Sequence, residues 1–163
     1  ISGYTAKVAG TEVGVDEPQA TFSACFGAAF LVWPPDKYAE MLAEKIRTHD
    51  TEAWLVNTGI TGGPYGTGHR VPLKHTRSMI DAIHDGSLLD APKEPEPVFG
   101  LHVPTECPNV PNDILMPRET WDDPTAYDEK AEHLVGLFND HFEQYEDMAA
   151  PEIVESGPQL QTA

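Results

Sequence analysis

The sequence predicts an α/β fold, and three observations carry that prediction. Residues 53–83 run in the order apolar strand, glycine-rich loop, basic strand, helix, the order expected of an α/β nucleotide site. Two further segments, one opening at Pro34-Pro35-Asp36 and one over about 125–145, place apolar residues at helical spacing. Between the helices lies 91–124, a proline-rich and mostly irregular stretch of the kind that wraps a larger body.

The elements follow in chain order. Residues 1–20 are rich in Gly, Thr and Val and read as a loop with short extended pieces, loosened at Gly3, Gly10 and Gly14. The block TFSACFGAAFLVW at 21–33 has no clear period and is expected to pack as buried irregular or strand-like backbone. Proline suits a first helical turn, so Pro34-Pro35-Asp36 opens a helix, with Tyr38, Met41, Leu42 and Ile46 on one apolar face. AWLV at 53–56 reads as a short buried strand. A second strand at 70–73 is held by Pro72 to an edge or an irregular piece. A helix over 74–85 turns Met79, Ile80 and Ile83 inward and stops at Gly86. In the meander, VFGLHV at 98–103 is the strand candidate. The helix over 125–145 is built on Tyr127, Ala131, Leu134, Val135, Phe138 and Phe142. After Pro151 one short turn is expected.

The densest chemistry lies at 57–77, NTGITGGPYGTGHRVPLKHTR. Gly59, Gly62, Gly63, Gly66 and Gly68 lead into Arg70, Lys74 and Arg77. The chain has 27 acidic residues against 10 basic ones, yet three of those cations fall together here. Glycine admits close backbone approach, and arginine is a planar, permanent cation suited to phosphate or to stacking on a flat ring. The pattern points to an anionic, nucleotide-like ligand. It is not a Walker A loop, because His69-Arg70 follows Gly68 where that motif needs Lys-Ser/Thr. Plain surface turns and a solvated cation face remain the ordinary alternative.

Composition narrows the classes. A formal charge of −17 disfavours nucleic acid, whose phosphates need a basic footprint. Twelve acidic residues and one basic residue, Lys130, lie between Glu119 and Glu155, which reads as a solvated helix face. No apolar run approaches membrane-spanning length, and no basic stretch followed by an apolar core opens the chain. Cys25 and Cys107 form neither a scaffold nor a metal spacing, which fits a cytosolic setting. The seven histidines are scattered. His133 and His141, eight apart, are expected to be ordinary surface histidines rather than a metal pair. Ile1 in place of methionine suggests a piece of a longer protein.

Several long blocks resemble ATP-dependent phosphoenolpyruvate carboxykinase. They are ISGYTAKVAGTE at 1–12, TFSACFGAAF at 21–30, AWLVNTG at 53–59, GHRVPLKHTRSMIDAI at 68–83, HVPTECPNVPNDILMPRETW at 102–121 and SGPQL at 156–160. The resemblance covers essentially the whole chain, in the family's order. It implies the C-terminal part of the family's mononucleotide-binding domain, with a mixed sheet and flanking helices. It implies a cytoplasmic lyase of gluconeogenesis that converts oxaloacetate and ATP to phosphoenolpyruvate, carbon dioxide and ADP with Mg²⁺ and Mn²⁺. The family's P-loop, metal ligands and oxaloacetate-binding arginines lie upstream, so no catalytic or metal residue is expected in this chain, and the rest of the carboxykinase chain is its expected partner. The family's ATP-contacting residues match Arg70, Val71 and Thr76, and its mobile lid matches about 5–16, with Lys7 and Glu12 inside it. Two positions depart from the familiar pattern. His69 stands where lysine is usual, and Pro72 removes a backbone donor. Two other readings accompany this one: a stand-alone, non-catalytic nucleotide-binding module, and an acidic interaction module.

Overall fold

The structure, a computed structural model, describes residues 4–7, 10, 13–16, 19–57 and 59–159. It divides into two compact units, Ile1–Trp54 with Gly136–Gly157, and Leu55–Val135 with Pro158–Ala163.

In the first unit, β1 (Tyr4–Lys7) and β2 (Gln19–Phe22) pair antiparallel, with Tyr4 opposite Phe22 and Lys7 opposite Gln19. The connection turns back where the Gly10 amide donates to the Val15 carbonyl at 2.8 Å, with Gly10 at φ +80° and Gly14 at φ +86°. The lid expected at 5–16 therefore falls on β1 and this connection. Residues 8, 9, 11 and 12, Glu12 among them, lie outside the described residues. The block 21–33 does not form a buried layer. It breaks into two 3₁₀ turns, Ala24–Phe26 and Ala28–Phe30, which bury Ala24 but leave Phe30, Val32 and Trp33 exposed. Cys25 at φ +49° interrupts the first turn and prevents a continuous strand or helix.

Helix α1 (Pro35–His49) starts at the expected proline and ends at Asp50, which adopts the left-handed conformation. Its expected apolar face is only partly covered: Tyr38 and Ile46 are half-buried, Met41 and Leu42 are exposed, and no residue of α1 is fully buried. The unit's packing is instead aromatic. The Phe22 ring meets Phe138 edge-on at 5.3 Å and stacks on His141 at 4.9 Å, and His141 meets Tyr145 at 5.6 Å.

In the second unit, 53–56 is not a strand among the described residues. A strand exists only through a neighbour's ladder bonds, and with none here Leu55 stays 83% exposed. The glycine segment supplies β3 (Ile60–Thr61) and β4 (His69–Arg70). Helix α2 (Leu73–His84) follows and stops before Gly86 at φ +82°. The strand expected at 98–103 is mostly a turn. The Glu96 carboxylate accepts the amides of Val98 and Phe99, Gly100 takes φ +65°, and β5 (Lys93–Pro95) pairs antiparallel with β6 (His102–Pro104). A short α3 (Asn112–Leu115) and a 3₁₀ turn, Pro117–Thr120, lead to α4 (Pro124–Glu146), whose length crosses the boundary between the units. Val71, Ala82, Leu88, Cys107, Val110, Ala131 and Val135 form the second unit's buried apolar set among the described residues. Helix α5 (Pro151–Glu155), in the first unit, is the expected single turn near the end. The fold class is α/β, and among the described residues the sheets are three two-stranded antiparallel pairs.

Candidate functional site

The glycine loop folds as a tight β-hairpin. Ile60 lies opposite Arg70 and Thr61 opposite His69, and the Val71 amide extends the ladder by donating to the Gly59 carbonyl at 3.0 Å. The turn between the strands is closed by the amides of Thr67 and Gly68, both donating to the Pro64 carbonyl. Gly62, Gly63 and Gly66 sit at φ +77°, +147° and +89°, a region L-residues avoid, which is why the loop needs glycine there.

The three residues matched to ATP contacts occupy the end of this hairpin and the first turn of α2. Arg70 is exposed on β4, and among the described residues no ion pair or hydrogen bond holds its guanidinium. Val71 is buried, its N–H is committed to the Gly59 carbonyl, and among the described residues its own carbonyl accepts no hydrogen bond. Thr76 is half-buried and is the fourth residue of α2. Its amide donates to the Pro72 carbonyl at 3.3 Å, and Pro72 itself holds the N-cap position, so Thr76 is not the helix cap. Pro72 provides no side-chain cap, so the positive end of α2, one residue beyond Val71, has no side-chain oxygen on its first amides among the described residues. Lys74 and Arg77 are exposed on the same helix.

Two buried polar contacts fix this arrangement. The His75 ring, 7% exposed, points Nδ1 at the Asn109 carbonyl at 3.2 Å. A carbonyl only accepts, so Nδ1 carries the hydrogen and His75 is a structural tie between α2 and the 107–110 turn. On the hairpin's other side, Thr120 is hydrogen-bonded to Thr61 and to the Gly62 amide. The turn bearing Thr120 is itself held to α4 by Arg118, whose guanidinium grips Asp128 with two bonds of 2.7 and 2.9 Å. That pairing holds the Asp128 carboxyl below the usual range and raises the Arg118 guanidinium.

A cleft of about 410 Å³ opens beside the loop, between Gly62, Gly63, Pro64 and Thr67 on one side and Trp121, Lys130 and His133 on the other. Trp121 meets Tyr127 edge-on at 5.6 Å, and burial pushes the Tyr127 hydroxyl above its usual value. Arg70, Val71 and Thr76 do not line this cleft. Of the two histidines expected on the surface, His133 lines the cleft and is exposed. His141 is stacked on Phe22, and burial lowers its imidazole below the usual histidine value. Nothing in the sequence marks Thr61 and Thr120 as partners, because they are 59 residues apart in a chain whose periodicities report only local neighbours.

A family model described as phosphoenolpyruvate carboxykinase matches residues 1–113. Among similar proteins, phosphoenolpyruvate carboxykinase (ATP) 2 of Salinibacter ruber is 90% identical over 163 residues, covering 100% of this chain and 31% of the relative. Phosphoenolpyruvate carboxykinase (ATP) 1 of the same organism is 57% identical over 162 residues, covering 99% of this chain and 30% of the relative. The phosphoenolpyruvate carboxykinase (ATP) of Thermus thermophilus is 54% identical over 161 residues, again covering 99% of this chain and 30% of the relative. The chain thus spans under a third of the length of these relatives. With more than half of its residues matched by the family model and one relative nearly identical throughout, the chain belongs to the phosphoenolpyruvate carboxykinase family.

Proposed function

We propose that this chain, as part of a longer protein, supplies the lid and the adenosine side of the ATP site in a cytoplasmic carboxykinase. That enzyme converts oxaloacetate and ATP to phosphoenolpyruvate, carbon dioxide and ADP. The observation that carries the proposal is the juxtaposition of three features: an Arg70 guanidinium with no ion pair or hydrogen bond among the described residues, the Val71 carbonyl and a helix N-terminus with no side-chain cap among those residues, all in a chain of net charge −17. A planar cation stacks on a purine or screens a phosphate. The Val71 carbonyl suits a purine amino group, and the Thr76 hydroxyl can donate to or accept from base or ribose. The 5–16 segment, as lid, would exclude water over the bound nucleotide.

The reaction's Mg²⁺ and Mn²⁺ neutralise and align phosphoryl oxygens. Among the described residues no group of His, Cys, Asp or Glu could hold a metal ion. In this reading the metals, the P-loop and the oxaloacetate site belong to the remainder of the carboxykinase, and no step runs through a metal here.

The test is Arg70→Ala in a full-length carboxykinase carrying this chain. Loss of a stacked or charge-assisted contact costs about 1–3 kcal/mol, so the KM for ATP rises about five- to 150-fold while that for oxaloacetate changes less. Arg70→Lys restores only part, because an ammonium does not stack as a guanidinium does. An unchanged KM for ATP beside a raised KM for oxaloacetate puts Arg70 on the wrong side of the site.

A further inference from the structure

We propose that Thr120 is a positioning residue for the nucleotide site, acting through Thr61 and Gly62 on the β3–β4 hairpin and so on Arg70. The inference rests on the ATP reading of Arg70 given above.

The Thr120 hydroxyl sits at the centre of three hydrogen bonds: 2.7 Å to the Pro117 carbonyl, 3.0 Å from the Gly62 amide and 2.8 Å to the Thr61 hydroxyl. Their directions follow from the partners. The Pro117 carbonyl only accepts, so it takes the single Thr120 hydrogen. The Gly62 N–H only donates. The Thr61 hydroxyl must therefore donate its own hydrogen to Thr120, whose oxygen uses both lone pairs. The cluster is saturated, and Thr61 is only 6% exposed, so water is a poor substitute at the Thr61 hydroxyl. Packing closes the same joint. A Cβ on Gly62 would lie 3.0 Å from the His69 ring and 3.3 Å from the Thr120 carbonyl oxygen.

What the joint controls is set by the hairpin register. Thr61 and Ile60 are the residues opposite His69 and Arg70, and the two-residue strands supply little else to resist a shift. Fixing Thr61 and Gly62 fixes where Arg70 and the Val71 carbonyl stand. The 3₁₀ turn that carries Thr120 is tied to α4, because its Arg118 holds Asp128 with two bonds.

The experiment uses a full-length carboxykinase carrying this chain, with Thr120→Val, Thr120→Ser, Arg70→Ala and the Thr120→Val/Arg70→Ala double variant. Each is assayed for kcat and for KM toward ATP and oxaloacetate, and amide exchange is followed over 59–72. Thr120→Val keeps the shape and removes the hydroxyl. It is expected to raise the KM for ATP about three- to tenfold with kcat within about twofold, and to speed exchange over 59–72. Thr120→Ser, which keeps the hydroxyl, restores both. In the Arg70→Ala background Thr120→Val has a smaller effect than it has alone, since the part that runs through Arg70 is already lost and only the part through the Val71 carbonyl remains. If Thr120→Val does not fold, Thr61→Val, which spares the Gly62 bond, gives the same pattern with a smaller shift. An unchanged KM for ATP in Thr120→Val where Arg70→Ala raises it, or effects that simply multiply in the double variant, overturns the positioning role alone. Faster exchange with neither variant altering the KM for ATP overturns the ATP reading of Arg70 and this proposal with it.

Discussion

At Gly68 a single methyl group decides whether the hairpin closes. A Cβ built there would collide with the Gly63 carbonyl oxygen and lie 2.6 Å from Ile60 Cγ2 and 2.8 Å from the Thr61 carbonyl oxygen, two of these three being backbone atoms that cannot rotate away. Gly136 is the opposite case, since an added Cβ on this α4 residue meets nothing within 4 Å. Gly68→Ala is expected to destabilise by about 1–3 kcal/mol through overpacking. Gly136→Ala is expected to stabilise by about 0.5–1 kcal/mol through helix propensity. Urea denaturation of both variants checks the pair, and equal effects of one sign contradict the geometry. At this scale the sequence exposes residue types and hides their surroundings. The cations at 70, 74 and 77 are legible as a cluster. That Val71 turns inward and spends its amide on Gly59 is not, because it depends on a strand pairing across the glycine turn.

Elements with a strong local period were legible, and elements defined by a partner were not. α1, α2 and α4 lie within a residue or two of where apolar spacing, an opening proline and a closing glycine put them. The 53–56 segment has the composition of a strand but no ladder neighbour among the described residues, and 98–103 is bent by the Glu96 carboxylate and Gly100 into a hairpin turn. Periodicity also placed Phe138 on the apolar face of α4 without showing that His141, one turn on, stacks on Phe22 of β2. That contact makes the first unit pH-sensitive. Burial lowers the His141 pKa below the ordinary value of about 6.5, so over the interval below that value the unfolded chain binds more protons than the folded one. Stability is therefore full above about pH 6.5 and falls as the pH drops through the folded value. Between about pH 7.5 and 5.5 the melting temperature of the natural chain is expected to fall further than that of His141→Phe, which keeps an aromatic ring and cannot titrate. Equal falls would remove His141 from the account, since the carboxylates titrate alike in both.

At the scale of the whole molecule, the exposed apolar groups fit a chain that spans about 30% of its relatives. Phe30 at 90%, Val32 at 85% and Leu55 at 83% exposure are large for side chains that gain by leaving water. In the ATP-site reading they meet the remainder of the carboxykinase. The acidic excess of 27 residues against 10 basic ones does not identify the ligand. The central claim is that the end of the β3–β4 hairpin and the start of α2 face the adenosine of ATP. It is tested most directly by photolabelling a full-length carboxykinase carrying this chain with 8-azido-ATP and mapping the modified peptide by mass spectrometry. The account predicts label within residues 68–77, abolished by excess ATP and reduced in Arg70→Ala. Label that ATP competes away but that falls only outside those residues would contradict it.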